Sequence, residues 1–209
     1  VANNHKEIVL TGIHTGSYGV GYDFDLVDLI NKMSTIPGLK RIRLSSIEIT
    51  ELNDKFMELL KNNTILCDHL HIPLQSGSEK ILKLMNRKYD KSRYESIINQ
   101  IRAIRPEISI TTDVIVGFPG ETESDFNECL DFCRKIKYAK IHVFPYSKRE
   151  GTKAASMPNQ LDNKTKKDRA RKLIELSNEL EEAYNQKFLG RNMDVLVEEY
   201  KDSCSIGHT

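Results

Sequence analysis

The stretch ISITTDVIV at residues 108–116, followed by GFPGET at residues 117–122, decides the fold. Its β-branched side chains predict a buried strand, and the glycines and proline after it predict a turn. An amphipathic pattern typical of a helix continues to Ile136, and KIHVF at residues 140–144 predicts the next strand. A strand, a helix and a second strand in this order form the unit of a parallel sheet.

The same unit recurs towards the amino terminus. Further strands are predicted at residues 7–11, 41–45 and 69–74, and helices at residues 25–34, 50–61, 79–85 and 90–104. Strands that alternate with helices predict an α/β fold, either a partial TIM-like barrel or an open doubly wound sheet. Thr50 and Ser78 are the predicted N-caps of two of these helices. In both architectures, ligands bind at the carboxyl ends of the strands.

After Pro158 the alternation stops. Residues 161–189 predict one long helix that ends at Gly190, and residues 193–200 predict a strand. We therefore divide the chain into a sheet unit at 1–158, a long helix at 159–190 and the start of a further unit at 191–209. Because the sequence begins at Val1 and ends soon after a new strand, we expect it to be a piece of a longer protein.

The composition argues against a strongly basic nucleic-acid-binding protein, a membrane protein and a disulfide-rich protein. The 209 residues contain 31 Lys and Arg against 30 Asp and Glu, so any nucleic-acid surface has to be local. No apolar run reaches the roughly 18 residues that a membrane span needs, and we expect no membrane partner. Four scattered cysteines are too few for a disulfide framework and favour a reducing compartment, so we expect a cytoplasmic protein.

Small and polar residues follow the first two predicted strands. Thr11 and Gly12 end the first strand, where glycine lets a ligand approach the backbone closely, although such turns are also common for structural reasons. Ser45 and Glu48 follow the second strand. A carboxylate at this position can bind an amine or cap the next helix. We treat these four residues as candidates for ligand binding.

The next two strands carry further candidates. Gln75 and Ser76 follow the third strand, and their donors and acceptors suit ribose hydroxyls. Asp113 interrupts the apolar fourth strand, and a buried carboxylate is costly unless a partner or a ligand meets it. Gly117 ends that strand. We identify no catalytic side chain among these residues, because they contain no evident acid–base pair.

The histidines and cysteines allow other interpretations. His69 and His71 share one face of a predicted strand, and together with His142 they could hold zinc in a barrel hydrolase. The alternative is that they are core histidines, or histidines that support the residues of a neighbouring ligand site. Cys129 and Cys133 lie four residues apart on the apolar stripe of a helix, where cysteine behaves as a small apolar residue. We therefore predict no metal ligands at these cysteines.

A basic segment begins the long helix. Its basic side chains are Lys164, Lys166, Lys167, Arg169, Arg171 and Lys172. One interpretation is a solvated helix face, and the other is a surface that contacts RNA phosphates. The second interpretation also fits a non-catalytic RNA-binding protein.

Several motifs, taken together, resemble the radical S-adenosylmethionine methylthiotransferases. They are EIVLTG at 7–12, RLSSIE at 43–48, HIPLQSGS at 71–78, MNR at 85–87, residues 112–122, and FPYS at 144–147 with Arg149, Gly151 and Thr152. IHTGSYG at 13–19 and the SSIE sequence are most similar to the branch that acts on threonylcarbamoyladenosine in transfer RNA. Ile49 departs from that branch, in which proline is common.

The resemblance implies a partial TIM-like barrel with S-adenosylmethionine lying across the carboxyl ends of the strands. Thr11 and Gly12 match the segment that meets the amino group of the cofactor, and Gln75 and Ser76 match the ribose side. The residues that match the adenine side are Asp113, Ile115 and Gly117. The resemblance also implies an electron donor, two 4Fe-4S clusters, and a small RNA-binding β-barrel that begins within residues 191–209.

One part of the family pattern is missing from this sequence. The family holds its radical-generating cluster with a CxxxCxxC loop, because three thiolates leave the fourth iron open to the cofactor. In this sequence the CxxxC part of that pattern occurs only at Cys129 and Cys133, and no third cysteine follows at the required spacing. We expect the loop just before Val1, so the cluster ligands are expected outside this chain. The chain by itself is then predicted to be inactive.

The function implied by the resemblance is a tRNA modification. The enzyme would add a methylthio group to carbon 2 of N6-threonylcarbamoyladenosine, next to the anticodon, by radical chemistry. Modification of isopentenyladenosine or of a ribosomal protein is the alternative within the family. A zinc-dependent hydrolase is the alternative outside it.

Overall fold

The computed structural model describes residue 1 and residues 3–209. Its strands are β1 (Glu7–Leu10), β2 (Arg41–Leu44), β3 (His69–His71), β4 (Ser109–Val116), β5 (Lys140–Pro145), β6 (Leu196–Lys201) and β7 (Cys204–His208). Its helices are α1 (Leu26–Ser34), α2 (Asp54–Asn62), α3 (Glu79–Leu84), α4 (Lys91–Ile104), α5 (Glu123–Ile136), α6 (Lys153–Ser156) and α7 (Asn163–Asn185). Within the described residues, none of these helices is long and apolar enough to cross a membrane.

Strands β1 to β5 lie side by side in chain order and run parallel. β1 pairs with β2, and β4 pairs with both β3 and β5. The bridge between Ile42 and Leu66 joins β2 to the chain that leads into β3, and the N–H of Ile47 donates to the carbonyl of His71 at 3.0 Å. A doubly wound sheet reverses its strand order at a switch point, whereas a barrel keeps chain order. The structure therefore confirms the partial TIM-like barrel.

The two faces of the sheet differ in chemistry because side chains alternate along each strand. On β4, Ile110 and Val114 are fully buried in the apolar core against the helices. Thr111, Asp113 and Ile115 point the other way. We call the side opposite the helices the inner face, and it carries a polar or charged side chain from each of the strands β1 to β5, namely Glu7, Arg43, His71, Asp113 and His142.

Helix α7 belongs to the packed sheet unit. Leu173 and Leu176 are buried in the same core as the strands. The Ser177 hydroxyl accepts the N–H of Ile141 at 3.0 Å and donates to its carbonyl at 3.2 Å, which ties α7 to β5. The helix is shorter than predicted, since it ends at Asn185 and a 3₁₀ turn leads to Gly190.

One predicted helix cap is wrong, and the other residue, Ser78, occupies the N-cap position without the side-chain bond. Asn53, and not Thr50, caps α2, because its side chain accepts the N–H of Phe56 at 3.0 Å. The Ser78 hydroxyl does not cap α3 and instead donates to Asp125 at 3.1 Å. Its partner lies 47 residues away, so a local pattern could not identify this bond.

The end of the chain forms a hairpin, where the sequence predicted one strand. β6 and β7 pair antiparallel, and Asp202 and Ser203 make the turn with φ of 49° and 63°. Such turns usually contain glycine, so the sequence signal was weak. Arg41 at the start of β2 donates to the carbonyls of Asp194 and His208, both at 2.8 Å. These bonds hold the hairpin near the amino-terminal edge of the sheet.

The packing of α7 gives a testable expectation for stability. Leu173→Ala should lower the free energy of unfolding by about 2–5 kcal/mol, because it leaves a cavity in a filled core. Ile174→Ala is the matched control, since Ile174 is 46% exposed on the same helix. Urea unfolding of both variants measures the difference. Equal losses would contradict the packing described for α7.

Candidate functional site

The predicted ligand-binding residues gather at the carboxyl edge of the sheet. The N–H of Ser45 donates to the carbonyl of Leu10 at 2.9 Å, which sets Ser45 beside Thr11 and Gly12. The backbone of Gln75 forms two hydrogen bonds with β4. Its N–H donates to the carbonyl of Asp113 at 2.8 Å, and its carbonyl accepts the N–H of Ile115 at 2.9 Å. Thr11 and Gly12 are exposed, and Gln75 and Ile115 are half-buried. Residues from four strands are thus accessible along one edge.

Asp113 has a protein partner on the inner face. Its carboxylate oxygen Oδ1 lies 3.3 Å from Nε2 of His71, and its side chain is 28% exposed. His71 Nδ1 and His69 Nε2 both hydrogen-bond to the Thr111 hydroxyl, at 2.9 and 3.2 Å. The ring of His142 lies 5.6 Å from the ring of His71. The carboxylate that interrupts the apolar strand is therefore paired and still open to solvent.

The zinc interpretation of the histidines finds no support. Among the residues that the structure describes, no three His, Cys, Asp or Glu side chains are arranged to hold a metal ion. His69 and His71 each use a ring nitrogen on Thr111. Cys129 and Cys133 are buried in α5, as predicted, and Cys129 Sγ accepts the N–H of Gly77 at 3.1 Å.

Glu48 forms an ion pair with an arginine that was not among the predicted site residues. Arg87 Nη1 lies 3.4 Å from Glu48 Oε1, and both side chains are a little more than a quarter exposed, at 29% and 28%. The N–H of Glu48 also donates to the Glu51 carboxylate at 3.1 Å within a capping arrangement. The MNR motif at residues 85–87 was the available signal for this arginine. The carboxyl edge therefore offers a guanidinium beside a carboxylate.

Two predicted ligand-binding residues face away from the edge. Ser76 is 1% exposed, and its hydroxyl accepts the N–H of Ser78 at 3.2 Å. Gly117 is buried and adopts a φ of 73°, and a Cβ there would lie 2.3 Å from Cγ of Lys166. The prediction that the Ser76 hydroxyl contacts a ligand is therefore wrong. Gly117, which has no side chain, instead allows α7 to pack closely against the end of β4.

The basic residues of α7 divide between two faces of the helix. Lys164, Lys167 and Arg171 are exposed and, being three and four residues apart, share one face. Lys172 is exposed and lies 3.4 Å from Glu123. The remaining two are not on this surface, and each has an internal partner. Lys166 donates to the carbonyl of Tyr146 at 3.2 Å, and Arg169 is 5% exposed and bonded to Glu121. The assignment of Arg169 to an RNA-binding surface is wrong, because its guanidinium is buried.

Comparison with known proteins identifies the family. Residues 2–133 match the sequence model of the radical SAM superfamily. The chain belongs to this superfamily. Its sequence is 44% identical over 197 residues to the threonylcarbamoyladenosine tRNA methylthiotransferase MtaB of Bacillus subtilis, covering 93% of the chain and 44% of that protein. The chain therefore spans less than half the length of this relative.

A second group of relatives is equally similar. The chain is 43% identical to the tRNA-2-methylthio-N(6)-dimethylallyladenosine synthase of Acetivibrio thermocellus, covering 92% of the chain and 41% of that protein. The corresponding synthase of Desulfitobacterium hafniense is 44% identical, with 92% of the chain and 44% of that protein covered. The resemblance to tRNA methylthiotransferases is confirmed, and overall identity does not separate the two groups.

Solved structures agree with the fold. Coproporphyrinogen III oxidase HemN of Escherichia coli superposes with a TM-score of 0.59 at 16% identity, covering 74% of this chain and 37% of the other. The methyltransferase TsrM of Kitasatospora setae gives a TM-score of 0.55 at 15% identity, covering 69% of this chain and 28% of the other. Both are radical S-adenosylmethionine enzymes. The superfamily uses S-adenosylmethionine and a 4Fe-4S cluster. The accessible polar residues at the carboxyl edge of the sheet fit S-adenosylmethionine.

His69 gives the inner face a pH-dependent stability. Burial, with a smaller contribution from Arg43, lowers the pKa of His69 from 6.5 to about 4. Between these values the unfolded chain binds a proton that the folded chain does not, so the folded state loses stability as the pH falls from 6.5 towards 4. We expect this to cost about 2 kcal/mol at pH 5 relative to pH 7.

Urea unfolding at pH 7 and pH 5 measures this dependence. His69→Gln should remove about 2 kcal/mol of the pH-dependent loss, whatever its effect at pH 7. His5→Gln serves as the control, because His5 is exposed. A pH dependence unchanged in His69→Gln would show that His69 titrates normally in the folded protein.

Proposed function

We propose that this chain is the S-adenosylmethionine-binding part of a methylthiotransferase that acts on N6-threonylcarbamoyladenosine in tRNA. The observation that carries the methylthiotransferase part of the proposal is the identity of 43% and 44% to both groups of tRNA-modifying relatives over 92% and 93% of the chain. When bound together with a cluster held outside these residues, S-adenosylmethionine supplies radical hydrogen abstraction and a methyl group. Because the cofactors carry the difficult step, the chain itself has to bind, orient and exclude water.

The residues at the carboxyl edge have the chemistry for those tasks. We assign Thr11 and Gly12 to the amino-acid end of the cofactor, together with Ser45, which is bonded to Leu10. We assign Glu48, with its partner Arg87, to the same end, because a carboxylate can bind an amine. The side chain of Gln75 is assigned to the ribose. Asp113 and Ile115 line the inner face next to Gln75, and we assign them to the adenine side. In this assignment, Ser76 and Gly117 act only by shaping the turns.

The choice of adenosine is the finer part of the proposal. The IHTGSYG segment at 13–19 and the SSIE segment at 45–48 favour threonylcarbamoyladenosine. Dimethylallyladenosine is the second candidate, since relatives named for it are 43% and 44% identical to this chain. A tRNA substrate would place the protein in the cytoplasm, where an electron donor for its clusters is also needed.

Nucleoside analysis of a deletion strain tests the substrate. Loss of the gene should abolish 2-methylthio-N6-threonylcarbamoyladenosine in tRNA digests and accumulate its unthiolated precursor, as measured by mass spectrometry. Restoring the full-length gene is the control. If the dimethylallyladenosine derivative is lost instead, the second candidate is correct. If neither nucleoside changes, the proposed function is wrong.

The exposed basic face of α7 is our proposed contact with tRNA phosphates. Lys164, Lys167 and Arg171 lie on the side of the helix that points away from the core, whereas Leu173 and Leu176 are buried. A row of cations on one face can follow a phosphate backbone without base contacts. We propose 191–209 as the start of a further RNA-binding unit after the sheet unit at 1–158 and the helix at 159–190.

Replacing Lys164, Lys167 and Arg171 together with Gln should weaken tRNA binding by the full-length enzyme. Each lost phosphate contact lowers the slope of log Kd against log salt by about 1, so we expect a decrease of about 3. Filter binding at several salt concentrations measures it.

The matched control replaces Lys32, Lys40 and Lys61 with Gln. These lysines are exposed and lie at the other edge of the sheet, where α1 and α2 end and β2 begins. The overall change in charge is the same in both triple variants. Equal losses of tRNA binding would show that total charge, and not the α7 face, is responsible.

A further inference from the structure

A buried ion pair joins α7 to the turn that follows β4. Arg169 is 5% exposed and Glu121 is 6% exposed. Arg169 Nη1 donates to the Glu121 carboxylate and also to its carbonyl oxygen at 3.1 Å, and Nη2 lies 3.3 Å from the carboxylate of Glu123. The guanidinium also lies 5.4 Å from the centre of the Phe126 ring. One arginine thus contacts the turn at several points.

The same carboxylate holds the backbone at the end of β4. Glu121 Oε1 accepts the N–H of Gly117 at 2.9 Å, so the two charged groups and this amide form one network. Lys166, one turn earlier on α7, packs on Gly117 and donates to the carbonyl of Tyr146. Tyr146 in turn donates its N–H to Val116 at 2.8 Å. Residues 116–121 are therefore bonded to α7 and to the end of β5. Gly120 has two further partners, since its N–H donates to the carbonyl of Asn159 at 3.0 Å and its carbonyl accepts Lys80 of α3 at 2.9 Å.

Stability alone is a poor explanation for this pair. Removing two charges from water costs free energy, and a buried ion pair is often no more stabilising than two apolar side chains of similar size. Burial raises the pKa of Glu121, while the Gly117 amide and Arg169 favour its charged form. A pair with this cost gives the turn one defined geometry, because Arg169 must meet its acceptors and the Glu121 carboxylate its donors at the same time.

We propose that Arg169 and Glu121 are positioning residues that fix residues 117–121 and thereby set the end of β4, with Asp113 and Ile115, against S-adenosylmethionine. The inference rests on the proposed function, which assigns Asp113 and Ile115 to that cofactor. It departs from the sequence interpretation, in which Arg169 contacts RNA. The pair acts through the backbone of the turn and touches neither cofactor nor RNA.

The test compares Arg169→Gln with two other variants in the full-length enzyme. The double variant Glu121→Met/Arg169→Met removes both charges, which restores stability but leaves the Gly117 amide without its acceptor. Arg102→Gln is the control for destabilisation. Arg102 donates to the carbonyls of Ile136 and Lys137, where α5 ends at the opposite edge of the sheet.

Hydrogen exchange of residues 113–122 reports on the turn without any cofactor. Arg169→Gln and the double variant should both speed exchange there by about tenfold or more, and Arg102→Gln should not. In the reconstituted enzyme, the Kd for S-adenosylmethionine should rise by about tenfold in both variants. The Kd for tRNA should stay at the wild-type value.

Two results would overturn the inference. One is wild-type exchange of residues 113–122 in Arg169→Gln. The other is a double variant that regains both thermal stability and wild-type affinity for S-adenosylmethionine, since the pair would then be structural only. If the wild-type enzyme fails to bind S-adenosylmethionine, the proposed function fails. The exchange measurement still decides whether the pair orders the turn.

Discussion

The hydroxyl of Thr112 holds the end of the third strand against the fourth. Thr112 is fully buried, and its hydroxyl donates to the carbonyl of Ile72 and accepts the N–H of Leu74, both at 2.8 Å. The regular strand β3 ends at His71, and Gln75 is the next residue that pairs with β4. Between them, the Thr112 hydroxyl takes the place of backbone hydrogen bonds between the two strands. Because buried backbone groups need partners, this exchange lets the chain turn to the carboxyl edge without a loss of hydrogen bonds.

The polar inner face follows from an incomplete barrel. In a closed barrel the interior is filled by layers of branched apolar side chains. Here the inner face carries pairs of polar groups, such as Glu7 with Arg43 at 2.7 Å and His71 with Asp113. Each charge has a partner, so the face stays folded while parts of it remain accessible. Such a face suits a ligand that has charged, hydroxyl and aromatic parts.

Helix α7 has two distinct roles because its faces meet different surroundings. Its inner side contacts β5 through Ser177 and the turn after β4 through Arg169. Its outer side presents Lys164, Lys167 and Arg171 to solvent. Basic residues that form a single run in the sequence therefore separate into a surface set and an internal set. The helix connects the proposed RNA surface to the strand end that we assign to the cofactor.

The sequence by itself determined the alternation of strands and helices and the resemblance that the comparisons confirm, and it predicted the carboxyl edge as the candidate site. These properties depend on short-range patterns and motifs. The tertiary structure alone decided that Ser76 turns inward, that His71 pairs with Asp113 and that Arg169 is buried. Arg169 and Glu121 are 48 residues apart, and neither shows locally whether it will meet a partner or water. Burial of a charge depends on which elements pack together, and only the folded chain specifies that.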